Sequence, residues 1–212
     1  MSPPIDMVEL WVERLRIGSP PQRARAASFL SRLQIAARGS AKPRGDLSRP
    51  AASAFPKDIS DNAISAALAG LTDETAAVRR EVAFSLGQWG DDRSVAILGR
   101  LLLGPHRDPE VEVRRAAIAA LGTIGGANAV AILSSVTEDR QDTPETIRQE
   151  ALMSLFALAK TGPDLYINPA DEFERGAVRA SLSAMADRLQ FDPGNSDDIK
   201  NAAGALAKVL TR

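Results

Sequence analysis

The sequence predicts an all-α fold, an α-solenoid or superhelix of about five stacked helix pairs, and three observations predict it. A motif recurs at a period near 35 residues across the middle of the 212-residue chain. Inside each copy the apolar residues follow helical rather than alternating spacing. Each copy is entered through residues that cap helices, after a short polar turn. Internal repetition is the feature to test first, because a missed period misreads the whole architecture. The expected organisation is a single domain over 1–212 with an insertion near 38–57.

Taken in chain order, residues 7–17 and 21–37 form a first helix pair, in which Arg23 and Leu30 match positions of the later copies. The tract 38–57 is dominated by Gly, Pro, Ser and Ala, with no surviving apolar period. Such composition reads as a loop, either a plain linker or a contact element. Residues 63–71 then open the second pair, and Val78, Val82, Ala83, Leu86 and Trp89 mark the apolar stripe of its second helix. Residues 94–103 and 129–136 are the corresponding short apolar helices of the next two pairs.

The second helices carry the repeat. Val78-Arg79-Arg80 returns as Val113-Arg114-Arg115 and again as Ile147-Arg148-Gln149, each with an aspartate six residues before its first arginine: Asp73, Asp108 and Asp142. Asp108-Pro109 sets a capping carboxylate before a proline suited to a first helical turn, and Thr143-Pro144 repeats the device. Ala83, Ala117 and Ala151 leave room for close helix approach. Gly87, Gly90, Gly122 and Gly125 are expected to end or loosen helices, and the third copy replaces them with Phe156 and Ala159 at two places. An irregular stretch at 161–169 leads to a last pair, 172–189 and 197–210, whose register is imprecise. Outer units of a stacked array are expected to be atypical.

The run Asp-x5-Arg-x3-Ala/Ile/Leu-x2-Leu-Gly, clearest at Asp108, Arg114, Ile118, Leu121 and Gly122, resembles HEAT repeats of the phycobilisome-lyase type. The resemblance is strong over about 60–160 and weak elsewhere. It implies that the recurrent Asp and Arg form a ladder tying adjacent repeats. An arginine fork suits that role, since it can hold several carboxylate or carbonyl oxygens at once. It also implies that the second helices line one concave face. By alignment that face carries Arg80, Arg115 and Gln149 at one level, Phe84, Ala119 and Met153 at the next, and Gln88, Thr123 and Ala157 beyond, with Ser28 and Arg32 from the first pair. The expected partner-binding set is Arg32, Arg80, Phe84, Gln88, Arg115, Gln149 and Met153, a groove suited to an acidic peptide with apolar anchors. Two competing readings stay open: Phe84 and Met153 pack against a neighbouring helix, and the arginines are solvated or pair with Glu81 and Glu150.

Composition narrows the function classes. Cysteine is absent, so thiolate chemistry is excluded, and with His106 the sole histidine a histidine-based triad and a zinc site are disfavoured. The Gly104-Pro105-His106 turn places that imidazole at the surface. Gly122 to Gly126 reads as a helix end, not a phosphate cradle. Asp91-Asp92 and Asp197-Asp198 read as turn or cap residues. The His-Glu metal pairs of the HEAT-like hydroxylase that modifies a lysine derivative are missing. The expectation is a protein that is not an enzyme, with no catalytic, metal or cofactor site. No apolar run of about 18 residues occurs and no secretory signature opens the chain, which points to a cytoplasmic protein.

Charge is balanced in total at −1, yet residues 1–57 hold ten Lys and Arg against four acids while 58–212 hold sixteen against twenty-three. A protein-interaction scaffold binding through the concave face or the basic loop is the leading reading. A bilin lyase or chaperone-type subunit acting on a phycobiliprotein-like partner is the alternative that the resemblance raises. Nucleic-acid binding is a third, disfavoured by a pI near 5.9 and only 4% aromatic residues.

Overall fold

The computed structural model describes residues 5–39, 57–89, 92–161 and 172–211. Among the described residues the chain forms ten α-helices and no strand. They are α1 (Ile5–Ile17), α2 (Pro20–Gly39), α3 (Lys57–Gly70), α4 (Ala76–Trp89), α5 (Asp92–Leu102), α6 (Val111–Ile124), α7 (Gly126–Glu138), α8 (Glu145–Thr161), α9 (Glu172–Phe191) and α10 (Asp197–Leu210). The expected five pairs are these ten helices taken two by two. Of the tract 38–57, residues 38 and 39 extend α2 and 57 opens α3, while 40–56 lie outside the described residues. Most of the 161–169 stretch lies outside them as well.

The helices fall into two compact units, α1 to α6 and α7 to α10. In the first, the second helices of successive pairs pack in series, α2 on α4 and α4 on α6, while α1 packs on α2 and α3 and α5 on α6. Val78, Val82, Ala83 and Leu86 of α4 are fully buried, as are Val113, Ala117 and Leu121 of α6. In the second unit α8 packs on α7 and α10, and α9 on α10, around Leu133, Ile147, Leu152, Leu155 and Leu206. Each buried Val, Leu or Ile side chain contributes about 1.5–3 kcal/mol when withdrawn from water.

Helix starts follow local chemistry. Ser19 precedes Pro20 and Pro21, and the Gln22 side-chain oxygen accepts from the Ser19 backbone N–H (2.8 Å) and hydroxyl (3.0 Å), the side-chain-to-backbone half of a capping box. Ser196 accepts from the Ile199 N–H ahead of Asp197 and Asp198, acids that suit a helix N-terminus. At the other end of α10, Arg179 Nε donates to the Leu210 carbonyl (2.6 Å), meeting an otherwise open C-terminal acceptor.

Gly87 and Gly122 lie in the last turns of α4 and α6, which end at Trp89 and Ile124, and Gly87 is buried. A Cβ at Gly87 would stand 2.6 Å from the Ala120 Cα, so this glycine lets α4 and α6 approach closely. Gly125 marks a break, with φ 71° just before α7. Gly90 lies outside the described residues.

Candidate functional site

The recurrent Asp and Arg must be placed before any surface can be assigned to recognition. Arg23 at the start of α2 gives Nε to Asp73 Oδ2 (2.6 Å), Nη2 to Oδ1 (3.0 Å) and Nη1 to the Gly18 carbonyl (2.8 Å). Arg79 repeats the grip one repeat on, with Nε to Asp108 Oδ2 (2.6 Å), Nη2 to Oδ1 (2.9 Å) and Nη1 to the Asp73 carbonyl (2.8 Å). The same aspartates accept backbone N–H bonds from Thr75 and Glu110, which turn the chain into α4 and α6. Each is therefore a cap for its own helix and a rung to the arginine before it.

Burial tends to push the Asp73 carboxyl up, but the Arg23 hydrogen bonds and the Thr75 N–H outweigh it and hold it below the usual carboxylate range. Arg23 and Arg79 are correspondingly raised by their bonds to Asp73 and Asp108. Arg114, buried in α6, donates to the Asp108 carbonyl (2.6 Å). Arg148 departs from the pattern. It donates to the Thr137 carbonyl (2.8 Å) and Asn195 Oδ1 (3.0 Å), both neutral, and burial together with nearby Arg140 lowers its pKa. Asn195 stands where the pattern would place an aspartate, which is why the last pair has no clear register in the sequence.

With the ladder buried, a different face of each second helix is left to solvent. In the first unit that face carries Ser28 and Arg32 on α2, Arg80, Phe84 and Gln88 on α4, and Arg115, Ala119 and Thr123 on α6, four residues apart along each helix. Phe84 is 41% exposed, so it does not pack away against a neighbour. Arg32 and Arg80 are exposed, while Arg115, Gln88 and Ser28 are half-buried. Arg80 Nη2 donates to Glu81 Oε1 and Arg115 Nη1 to Glu112 Oε1, each at 2.8 Å. Pairing of Arg80 with Glu81 agrees with the sequence reading, and Glu112 supplies a carboxylate to Arg115. In the second unit α8 carries Gln149, half-buried, and Met153, 51% exposed.

Other groupings have no counterpart in the repeat. Trp11 stacks on Phe29 with ring centroids 4.6 Å apart, and the Arg14 guanidinium lies 5.1 Å over the Trp11 ring. Arg16 donates to Asn62 (2.8 Å). Apart from Asn62 on α3, these residues belong to the divergent first pair, where period matching carries no signal. His106 lies exposed in the turn between α5 and α6. Among the described residues no group of three or more His, Cys, Asp or Glu could hold a metal ion, and no helix is long and apolar enough to cross a membrane.

Comparison with known proteins completes the picture. The model of the HEAT repeats family matches residues 64–156. Over 136 residues the chain is 29% identical to deoxyhypusine hydroxylase of Rattus norvegicus, a stretch that covers 61% of this chain and 44% of the relative. The chain thus spans less than half the length of that curated relative. Among solved structures, the complex of CpcE and CpcF of phycocyanin lyase from Nostoc sp. PCC7120 is similar with a TM-score of 0.59 at 18% identity, over 96% of this chain and 65% of that one. An engineered protein is similar with a TM-score of 0.52 at 17% identity, over 97% and 96%. Both likenesses concern the fold. The hydroxylase likeness corrects the expectation that the chain is not an enzyme, because that relative is one. The absence of cysteine rules out thiolate centres in this chain, but a single histidine is enough for a nucleophile triad, and neither count bears on the other ways a repeat surface can take part in catalysis.

Proposed function

From the premise that the chain is a HEAT-repeat protein, we propose that it is a scaffold that holds a protein partner on the exposed face of its second helices. Phe84 carries the reading. It is a large apolar ring open to solvent on a helix whose opposite side is fully buried, and it is flanked on its own helix by Arg80 and Gln88. Aromatic and arginine side chains are the commonest anchors of protein interfaces. Arg32 and Arg115 extend the positive character to α2 and α6, which suits a partner with acidic residues around an apolar anchor. Gln149 and Met153 offer a comparable face on α8, which would serve the same partner class.

The test is isolation of a stoichiometric partner from the source cell, repeated with Arg80→Glu combined with Arg115→Glu. Loss of the partner with an unchanged melting curve supports this face, since exposed ion pairs add only about 0–1 kcal/mol to stability. Undiminished binding by the double variant overturns it. A second reading, a subunit of a two-subunit lyase acting on a phycobiliprotein-like partner, is favoured by the likeness to the CpcE and CpcF complex across nearly all of this chain. A tetrapyrrole titration with no spectral change discards it.

A further inference from the structure

Helix α1 presents a second surface, built differently from the one just described. Val8, Val12 and Leu15 face inward and are buried as α1 packs on α2 and α3. On the other side Met7 is 38% exposed, Leu10 46% and Ile17 77%. With Arg14 between them these positions step by three, four and three residues, which is the spacing of a single seam and the one that helix pairs use. An open helix face in a repeat array is ordinarily polar, because solubility demands it. This one is apolar and is bordered by the half-buried Trp11 with Arg14 over its ring.

Charge identifies what would cover it. Along α1 the exposed acids come first, Glu9 and Glu13, and the exposed bases last, Arg14 and Arg16. That order suits the helix dipole by itself, but the dipole does not account for the apolar stripe. Two such helices side by side and parallel would set acid against acid and base against base. Run antiparallel and centred on Val12, they bring Met7 level with the second copy's Ile17, Leu10 level with its Arg14, and Glu9 level with its Arg14 and Arg16. We propose that α1 is a self-association surface on which two copies of this chain pair antiparallel about a twofold axis. The surface is its own complement, as a twofold interface must be. The stripe is only about 15 Å long at 1.5 Å per residue. The contact therefore belongs with small, reversible interfaces below about 1,200 Å².

Sedimentation equilibrium on the full chain, from about 1 μM to about 1 mM, reads the outcome across the affinity range of such contacts. The wild type moves from monomer toward dimer mass within that range. Glu9→Lys with Glu13→Lys makes the set of residues 9, 13, 14 and 16 all positive, and Arg14→Glu with Arg16→Glu makes it all negative. Each variant alone dimerises at least about tenfold more weakly than the wild type, and an equimolar mixture of the two recovers dimer. Leu10→Gln with Ile17→Gln supplies a charge-neutral variant that weakens dimerisation without altering either charged set, and circular dichroism melts verify that each variant is folded. A wild type that stays monomeric throughout overturns the proposal. So does a charged variant that dimerises as tightly as the wild type, or a mixture that gains nothing over its components. These residues are separate from Arg80 and Arg115, so failure here leaves the scaffold reading standing.

Discussion

At the scale of single residues the ladder accounts for the recurrent Asp and Arg of the repeat. Asp108 has a side chain only 3% exposed and depends on Arg79, at 13%, for compensation of its charge. Removing one member of a largely buried pair leaves the other uncompensated, which costs about 3–5 kcal/mol when burial is complete. Arg79→Ala is therefore expected to destabilise by about 2–4 kcal/mol, read as a fall of roughly 5–15 °C in melting temperature. An unchanged melt would show that the rung is ornamental. The Asp73 rung makes a pH prediction. Its folded pKa lies below the ordinary carboxylate value, so its contribution is present above about pH 4 and is lost as pH falls through the lowered value. Asp73→Asn should then be less stable than the wild type at neutral pH, with the gap closing as pH falls through that lowered value. Urea titrations across that pH range would show it, and a gap that persists in acid would assign the effect to something other than the carboxylate. The members of both rungs were legible in the sequence as a recurrent Asp and Arg six residues apart, although each carboxylate pairs with the arginine of the preceding repeat, 50 residues away for Asp73 and 29 for Asp108. The Arg148 grip on Asn195 was not, because an amide replaces the carboxylate and a neutral acceptor leaves no charge pattern to match.

At the scale of elements the helices were legible wherever periodicity and caps agree, and less so where a glycine has two uses. Gly87 reads as a helix breaker by propensity, but propensity is a weak prior once packing decides. Its surroundings reverse the usual sign of a Gly→Ala change. In an open helix interior alanine is favoured over glycine by about 0.8–1.0 kcal/mol. At Gly87 the added Cβ would meet Ala120 Cα at 2.6 Å and Ala120 Cβ at 2.9 Å, so α4 and α6 must part. Gly87→Ala is expected to destabilise by about 1–3 kcal/mol, the cost of overpacking. Gly176 in α9 meets nothing within 4 Å, so Gly176→Ala should stabilise by about 0.5–1 kcal/mol. Chemical denaturation of the two variants side by side separates packing from propensity, and the same sign for both would refute the close-approach account. The candidate binding face was readable in the same way. The position of Phe84 on α4 follows from helical spacing, but its exposure depends on how far the neighbouring helices reach, which no spacing rule supplies.

At the scale of the whole molecule the repeat fixes the kind of architecture, while the sequence offers no marker for the division into two compact units. That division falls at Gly125, where a positive φ breaks the path from α6 into α7. In the sequence this glycine matches Gly90 of the preceding copy, so it carries no distinguishing signal. Stability in repeat arrays is approximately a sum of unit terms and nearest-neighbour terms, so damage should stay local. Arg148 gives a way to test this, because it ties the end of α7 at Thr137 to Asn195 ahead of α10 from its place on α8. Arg148→Ala leaves those two buried acceptors without their donor, an expected loss of about 1–3 kcal/mol for each group left unsatisfied. Amide hydrogen exchange on the full chain should then show faster exchange in α7, α8 and α10, with protection in α2 and α4 retained. If α2 and α4 lost protection to the same extent, the chain would unfold as one cooperative body and the additive account of its stability would fail.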